Sequence, residues 1–156
     1  MNAQSVIDIL KEKNLTLSTA ESCTGGMIGE LITSVSGASE VYGFGFITYA
    51  NEAKEKILGV KHETLEEFGA VSEETAREMA LGAKKVSGSD IAVSVTGIAG
   101  PGGGTKEKPV GLVYTAICYG EAVKVTKLLL KGDRDAVRRQ TCEKVFENII
   151  NCAENL

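Results

Sequence analysis

Thr19-Ala20-Glu21-Ser22-Cys23-Thr24-Gly25-Gly26 is the stretch whose reading decides the fold, because it joins an apolar strand to a helix and places a hydroxyl, a thiol and a carboxylate at the junction. Leu15 to Ser18 alternates apolar and polar residues as a half-buried strand does. Met27 to Val35 has the apolar spacing of a helix, so Ser22 to Gly26 reads as the turn between them and the helix is expected from about Thr24 to Ser34. Ser22 or Thr24 is the expected cap. Two glycines at the turn let a ligand approach the backbone, and the free N–H groups of a helix start are suited to an anion or an oxyanion.

Working outward, residues 2 to 13 read as a helix stopped at Asn14, with Val6, Ile7, Ile9 and Leu10 on one face. Val41 to Ala50 reads as a second strand, in which Gly43 and Gly45 mark weakness or close backbone approach. Asn51 is the expected N-cap of a short helix that carries Lys54 and ends at Gly59. Residues 61 to 68 suggest a surface helix, and Ser72 caps a longer one reaching about Val86. Asp90 to Val95 has the β-branched character of a buried strand and runs into the glycine-dense segment Thr96 to Thr105. Val110 to Tyr119 and Glu121 to Leu130 flank Gly120 as an antiparallel hairpin. Asp133 caps a last helix reaching about Cys152. Strands interleaved with helices, closed by a hairpin, predict one α/β domain over residues 1–156: three layers, α/β/α, around a mixed sheet.

Composition narrows the function classes. The 156 residues are 43% hydrophobic and 24% charged, with a formal net charge of −4, the balance of an ordinary globular protein. No basic stripe is present to neutralise a duplex backbone, so nucleic acid is not an expected partner. Cys23, Cys118, Cys142 and Cys152 form no Cys-x-x-Cys pair, so no metal site is expected and reduced thiols fit a cytoplasmic location. There is no signal-peptide pattern and no run near the roughly 18 apolar residues of a membrane span.

Exclusion shapes the catalytic reading. The only histidine, His62, lies in the charged segment Val60 to Thr64, which argues against a Ser-His-Asp triad. A Ser22 nucleophile then needs another base, and lysine is the residue that burial can bring towards neutrality. Lys54 is best placed, since it follows the strand ending at Tyr49 and both Ser22 and Tyr49 fall at C-terminal strand ends. The plainer alternatives are a helix cap for Ser22, a packed aromatic for Tyr49 and an exposed lysine for Lys54. Cys23 is a rival nucleophile, with Glu21 and Lys54 as a Cys-Glu-Lys set. The loop after residue 95 offers glycine N–H groups to a phosphate but lacks the Gly-Lys-Ser/Thr of a Walker A loop. Arg134 and Arg138, four residues apart, are candidates to grip an anion.

Taken together, these segments resemble one family. Thr19 to Gly26, Thr48-Tyr49-Ala50-Asn51-Glu52-Ala53-Lys54 with Leu58-Gly59-Val60, Gly69-Ala70-Val71-Ser72, and Ser94 to Thr105 with Lys108-Pro109-Val110-Gly111 are similar to the C-terminal domain of the competence/damage-inducible protein CinA, whose stand-alone members are nicotinamide-nucleotide amidases. The resemblance implies hydrolysis of the carboxamide of nicotinamide mononucleotide to nicotinate mononucleotide and ammonia, in pyridine-nucleotide salvage, without a cofactor. It implies Ser22 as nucleophile with Lys54 and Tyr49 assisting, and an arginine of the last helix region, Arg134 or Arg138, in the site. Thr24, Gly25, Gly26, Thr96, Gly97, Gly100, Gly102, Gly103 and Thr105 are then the expected substrate contacts. The family's larger members carry an N-terminal molybdopterin-binding-like domain; nothing in these residues corresponds to it, and a pyrophosphatase activity tied to it is not expected. A non-catalytic nucleotide-binding module linked to competence or DNA damage is the alternative, and a homodimer is a possible state.

Overall fold

In a computed structural model, which describes residues 2–156, six helices surround a five-stranded sheet. The elements run α1 (Ala3–Glu12), β1 (Leu17–Glu21), α2 (Met27–Thr33), a 3-10 turn (Ala38–Glu40), β2 (Tyr42–Ile47), α3 (Asn51–Leu58), α4 (His62–Phe68), α5 (Glu73–Ser87), β3 (Ile91–Gly97), β4 (Leu112–Tyr119), β5 (Ala122–Leu129) and α6 (Arg134–Glu154). The sheet order is β2-β1-β3-β4-β5. β1 pairs in parallel with β2 and with β3, and the β3–β4 and β4–β5 pairs are antiparallel. The mixed α/β sheet and its late hairpin agree with the sequence reading. One core lies between the sheet and α1, α2 and α6, and a second lies under α3, α4 and α5.

β1 departs from the half-buried strand expected at residues 15–18: it runs from Leu17 to Glu21 and every residue is buried. The reason is position. A strand between two parallel partners and covered on both faces has no solvent side for a polar residue to seek. β2, at the sheet edge, is shorter than the predicted 41–50 and largely exposed. Ser72 and Asp133 cap their helices as expected, accepting from the Thr75 and Ala136 N–H groups. Asn51 does not cap; it is already helical, and Ala50 occupies the cap position without a side-chain bond.

Because β1, β2 and β3 are parallel, their C-terminal ends lie along one edge and deliver Ser22, Thr48-Tyr49 and Thr96-Gly97 together. α3 is drawn back across this edge by packing on α5. Gly82 permits that contact, since a Cβ there would overlap the Leu58 carbonyl. Only a residue without a side chain lets the two helices approach this closely.

Candidate active site

The turn after β1 is held by its own carboxylate. Glu21, 1% exposed, accepts from the Thr24 hydroxyl at 2.7 Å and from the N–H groups of Gly26 (3.2 Å), Ile28 (2.9 Å) and Gly29 (3.0 Å). A buried anion thus satisfies the orphan donors at the start of α2, where the helix dipole also favours negative charge. The helix begins at Met27 rather than Thr24, and neither Ser22 nor Thr24 caps it: Gly26, at φ 106°, takes the cap position without a side-chain bond. The expectation that Gly25 and Gly26 offer N–H groups to a ligand is corrected by the same contacts. The Gly25 N–H donates to the Ser22 carbonyl at 3.0 Å and that of Gly26 is taken by Glu21. What remains is one peptide unit back, where the Cys23 and Thr24 N–H groups have no acceptor among the described residues.

Against this turn lies Lys54, 1% exposed although charged lysines are rarely fully buried. Its Nζ stands 2.9 Å from Ser22 Oγ, 2.9 Å from the Thr48 carbonyl and 3.0 Å from the Tyr49 carbonyl. Burial pushes the Lys54 ammonium down from 10.5 to about 8, because taking the charge out of water disfavours it and no carboxylate forms an ion pair with it among the described residues. An ammonium would donate to all three oxygens. A neutral amine has two hydrogens, which the two fixed carbonyls accept, and its lone pair is then left facing the Ser22 hydroxyl.

Tyr49 contributes its backbone, not its phenol, to this pair. Its side chain is 60% exposed and its hydroxyl accepts from Arg134 Nη2 at 3.1 Å. A relay from Lys54 to Ser22 through the phenol therefore has no support in the geometry, and the contact is direct. The Thr48 hydroxyl is buried with no partner among the described residues.

The Ser22–Lys54 pair opens into a cleft of about 280 Å³, whose walls include Tyr49, Val71, Thr96, Gly97, Gly100 and Arg134. That is near the lower end of ligand pockets, about 300 to 1,000 Å³. Thr96 donates its hydroxyl to the Ala70 carbonyl at 2.8 Å, tying the wall after β3 to the segment before α5. Gly102 and Gly103 line the mouth; Ala99, Gly100, Gly102 and Gly103 have N–H groups with no acceptor among the described residues. Arg134 bridges the Gly100 carbonyl (2.8 Å) and the Tyr49 hydroxyl and sits at the rim.

Several sequence candidates fall outside the cleft. Thr105 is exposed and shapes its own loop, with its N–H donating to the Lys108 carbonyl at 2.7 Å and its hydroxyl accepting from the Lys108 N–H at 3.0 Å. The Thr24 side chain, turned onto Glu21, and Gly25 and Gly26 do not line the cleft, and Arg138 reaches the Cys23 and Thr24 carbonyls instead of the cleft. Cys23 lines the cleft, but burial pushes its thiol up to about 11, the opposite of an activated nucleophile. Its presumed partner Glu21 is fully engaged with α2, so the Cys-Glu-Lys set does not assemble. His62 is exposed between Glu55 and Glu66, away from the site.

The residues sequence reasoning missed are mostly backbone: the Thr48 and Tyr49 carbonyls that hold Lys54. No residue identity signals a carbonyl's direction. Glu21 carried a signal, an acid just ahead of a helix start, but was read only as a catalytic partner. Among the described residues no group of three or more His, Cys, Asp or Glu is placed to hold a metal ion, and no helix is long and apolar enough to cross a membrane.

An open mixed α/β domain with a buried serine–lysine pair at the C-terminal edge of its parallel strands defines the class of molecule. The chain belongs to the CinA C-terminal domain family, whose model matches residues 1–153. A Clostridium perfringens relative with a competence-damage inducible name is 57% identical over 139 residues, covering 89% of this chain and 34% of the relative. A CinA-like protein of Kosmotoga olearia is 56% identical over 135 residues, covering 86% of this chain and 33% of the relative. The chain therefore spans about a third of the length of the curated relatives it matches. Among solved structures, a competence/damage inducible protein from Agrobacterium tumefaciens superposes with TM-score 0.93 at 45% identity, covering 96% of this chain and 92% of that one. A CinA superfamily protein from Klebsiella pneumoniae superposes with TM-score 0.95 at 31% identity, covering 99% and 96%.

Proposed function

We propose that this chain hydrolyses the carboxamide of nicotinamide mononucleotide, releasing nicotinate mononucleotide and ammonia through an acyl-serine. The observation that carries the reading is the 2.9 Å contact between Ser22 Oγ and a buried, unpaired Lys54 amine. The family resemblance supplies the substrate, and the small open cleft suits a pyridine ring better than a dinucleotide.

In this reading neutral Lys54 takes the hydroxyl proton as Ser22 Oγ attacks the carboxamide carbon. The carbonyl oxygen becomes an oxyanion facing the Cys23 and Thr24 N–H groups, a contact of the kind that costs about 2.7 to 4 kcal/mol when one donor is lost. The C–N bond then breaks and the proton held by Lys54 leaves with the ammonia. Lys54, neutral again, takes a proton from water as its oxygen attacks the ester carbon; the bond from that carbon to Ser22 Oγ then breaks, nicotinate mononucleotide leaves, and Lys54 returns the proton to Ser22 Oγ. Arg134 and the N–H groups of Gly102 and Gly103 hold the substrate phosphate at the mouth, where a planar guanidinium and a glycine-rich loop both suit an anion.

Ammonia release from nicotinamide mononucleotide by the purified protein tests this directly, with nicotinamide riboside and NAD as comparisons. Turnover that survives Cys23→Ala and is lost in Ser22→Ala is expected. The reverse pattern would reassign the nucleophile to the thiol. Binding of the nucleotide without turnover of any of the three would favour a non-catalytic nucleotide-binding module.

A further inference from the structure

Arg138 makes two contacts with the turn after β1, both to main-chain oxygens: its Nε donates to the Cys23 carbonyl at 3.2 Å and its Nη2 to the Thr24 carbonyl at 2.9 Å. It is half-buried and does not line the cleft. Arg134, one turn earlier on the same helix, does.

A planar trans peptide ties the direction of each N–H to that of the carbonyl before it, since the two point to opposite sides of the unit. The Ser22 carbonyl is held by the Gly25 N–H at 3.0 Å, which fixes the Cys23 N–H on the other side. The Cys23 carbonyl is held by Arg138, which fixes the Thr24 N–H in the same way. Those two N–H groups are the ones left without acceptors among the described residues. The first is oriented by the turn's own backbone. The second is braced by a side chain arriving from α6, 115 positions away in sequence, in addition to the bonds that anchor Thr24 through its hydroxyl to Glu21 and through its carbonyl to the Met27 N–H. Gly25 takes φ +58° beside the guanidinium, with space for a Cβ at 3.7 Å from Arg138 Nη2, so it is the turn's backbone conformation and not crowding that calls for glycine there.

We infer that Arg138 is a positioning residue that holds the Cys23–Thr24 peptide with its N–H towards the reacting oxygen, and so builds one of two oxyanion donors without touching substrate. The inference rests on the serine reading above. Without the guanidinium the Cys23 carbonyl loses its one partner among the described residues, so the N–H on the other side of the same peptide is held less firmly while Ser22, Lys54 and the cleft remain.

Steady-state turnover of nicotinamide mononucleotide by Arg138→Ala and Arg138→Lys is the test. Arg138→Ala is expected to lower kcat about 100-fold, the scale of one oxyanion donor, with KM within about twofold, the signature of an interaction made in the transition state. Arg138→Lys keeps the charge but not the fork and is expected to recover only a small part of the loss. Added guanidinium is expected to restore activity to Arg138→Ala and to leave wild type unchanged. The alkaline rise in rate is expected to keep its midpoint, since Lys54 is untouched; a general disruption of the site would move it. An unchanged kcat, or a loss carried by KM alone, overturns the positioning role and leaves the serine reading standing.

Should the alanine variant not fold, wild type suffices. Pyridine-3-boronic acid forms a tetrahedral adduct on an activated serine, and the Thr24 amide proton is expected to move downfield in 15N–1H spectra as the adduct forms. An adduct without that movement overturns the role of Arg138. A wild-type protein that neither turns over nucleotide nor forms the adduct overturns the serine reading and this inference with it.

Discussion

Two glycine-rich corners stand side by side at the C-terminal edge of the sheet and use their glycines in opposite ways. After β1, the backbone of Gly25 and Gly26 turns inward: one N–H closes the turn on Ser22 and the other is taken by Glu21, whose carboxylate also holds Ile28 and Gly29. After β3, Gly100, Gly102 and Gly103 line the cleft and their N–H groups find no acceptor among the described residues. The first corner is closed by a buried anion of its own. The second is left open to an anion from outside. Glycine content therefore does not identify an anion site; what matters is whether the chain already supplies the negative charge.

The sharpest way to break this contrast is to remove what faces the closed corner. Lys54→Met is expected to lower kcat at least about 1,000-fold, the upper part of the range for a lost general base, with nucleotide binding retained by calorimetry. In wild type the rate follows the neutral amine, so kcat/KM rises with pH, half-complete near the Lys54 value of about 8, and levels off above it. The same shift has a stability consequence of definite sign. Between about 8 and 10.5 the unfolded chain binds a proton at this lysine that the folded chain does not, so folding gains stability as pH rises through that window. Urea midpoints of wild type and Lys54→Met, compared at pH 7.5 and 10, are expected to diverge in that direction.

Opening the closed corner is the next largest effect. Glu21→Gln places an amide NH₂ among donors and strands at least one of them; a loss of about 3 kcal/mol is expected from the urea midpoint, the scale of charged hydrogen bonds and buried unsatisfied groups. Loss of activity should accompany it even where the variant stays folded, because Ser22 stands on the same turn. At the open corner, Arg134→Ala is expected to raise KM for the mononucleotide about tenfold and to change KM for the phosphate-free riboside little, a charge-assisted contact being worth about 1.5 to 3 kcal/mol. Smallest of all, Gly102→Ala is expected to stay within about twofold in kcat/KM. Its φ is not left-handed and a Cβ there would meet nothing within 4 Å. A large loss at Gly102 would show that the open corner closes tightly on its ligand.

Arg134 and Arg138 show where sequence reading stops. Four residues apart, they share a helical face and were equal candidates for the anion. A single turn of about 5.4 Å along α6 carries one to the Gly100 carbonyl and the Tyr49 hydroxyl, and the other to the carbonyls behind Ser22. Tyr49 was legible as a residue at a strand end, but not as a donor of its carbonyl instead of its phenol. Ser22 and Lys54 were legible because both stand just past strands that the hydrophobic pattern located, and because a chain with one exposed histidine leaves few bases to choose from.

By itself the sequence determined the order of elements, the hairpin after the glycine loop, the Ser72 and Asp133 caps and the mixed sheet, since hydrophobic period, capping residues and turn residues act over a few neighbouring positions. Tertiary structure alone decided the full burial of β1, the desolvation of Lys54, the capture of the α2 N-terminus by Glu21 and the separate duties of the two arginines. Each of these depends on atoms brought from remote segments, and on the directions of main-chain N–H and carbonyl groups that every residue carries alike.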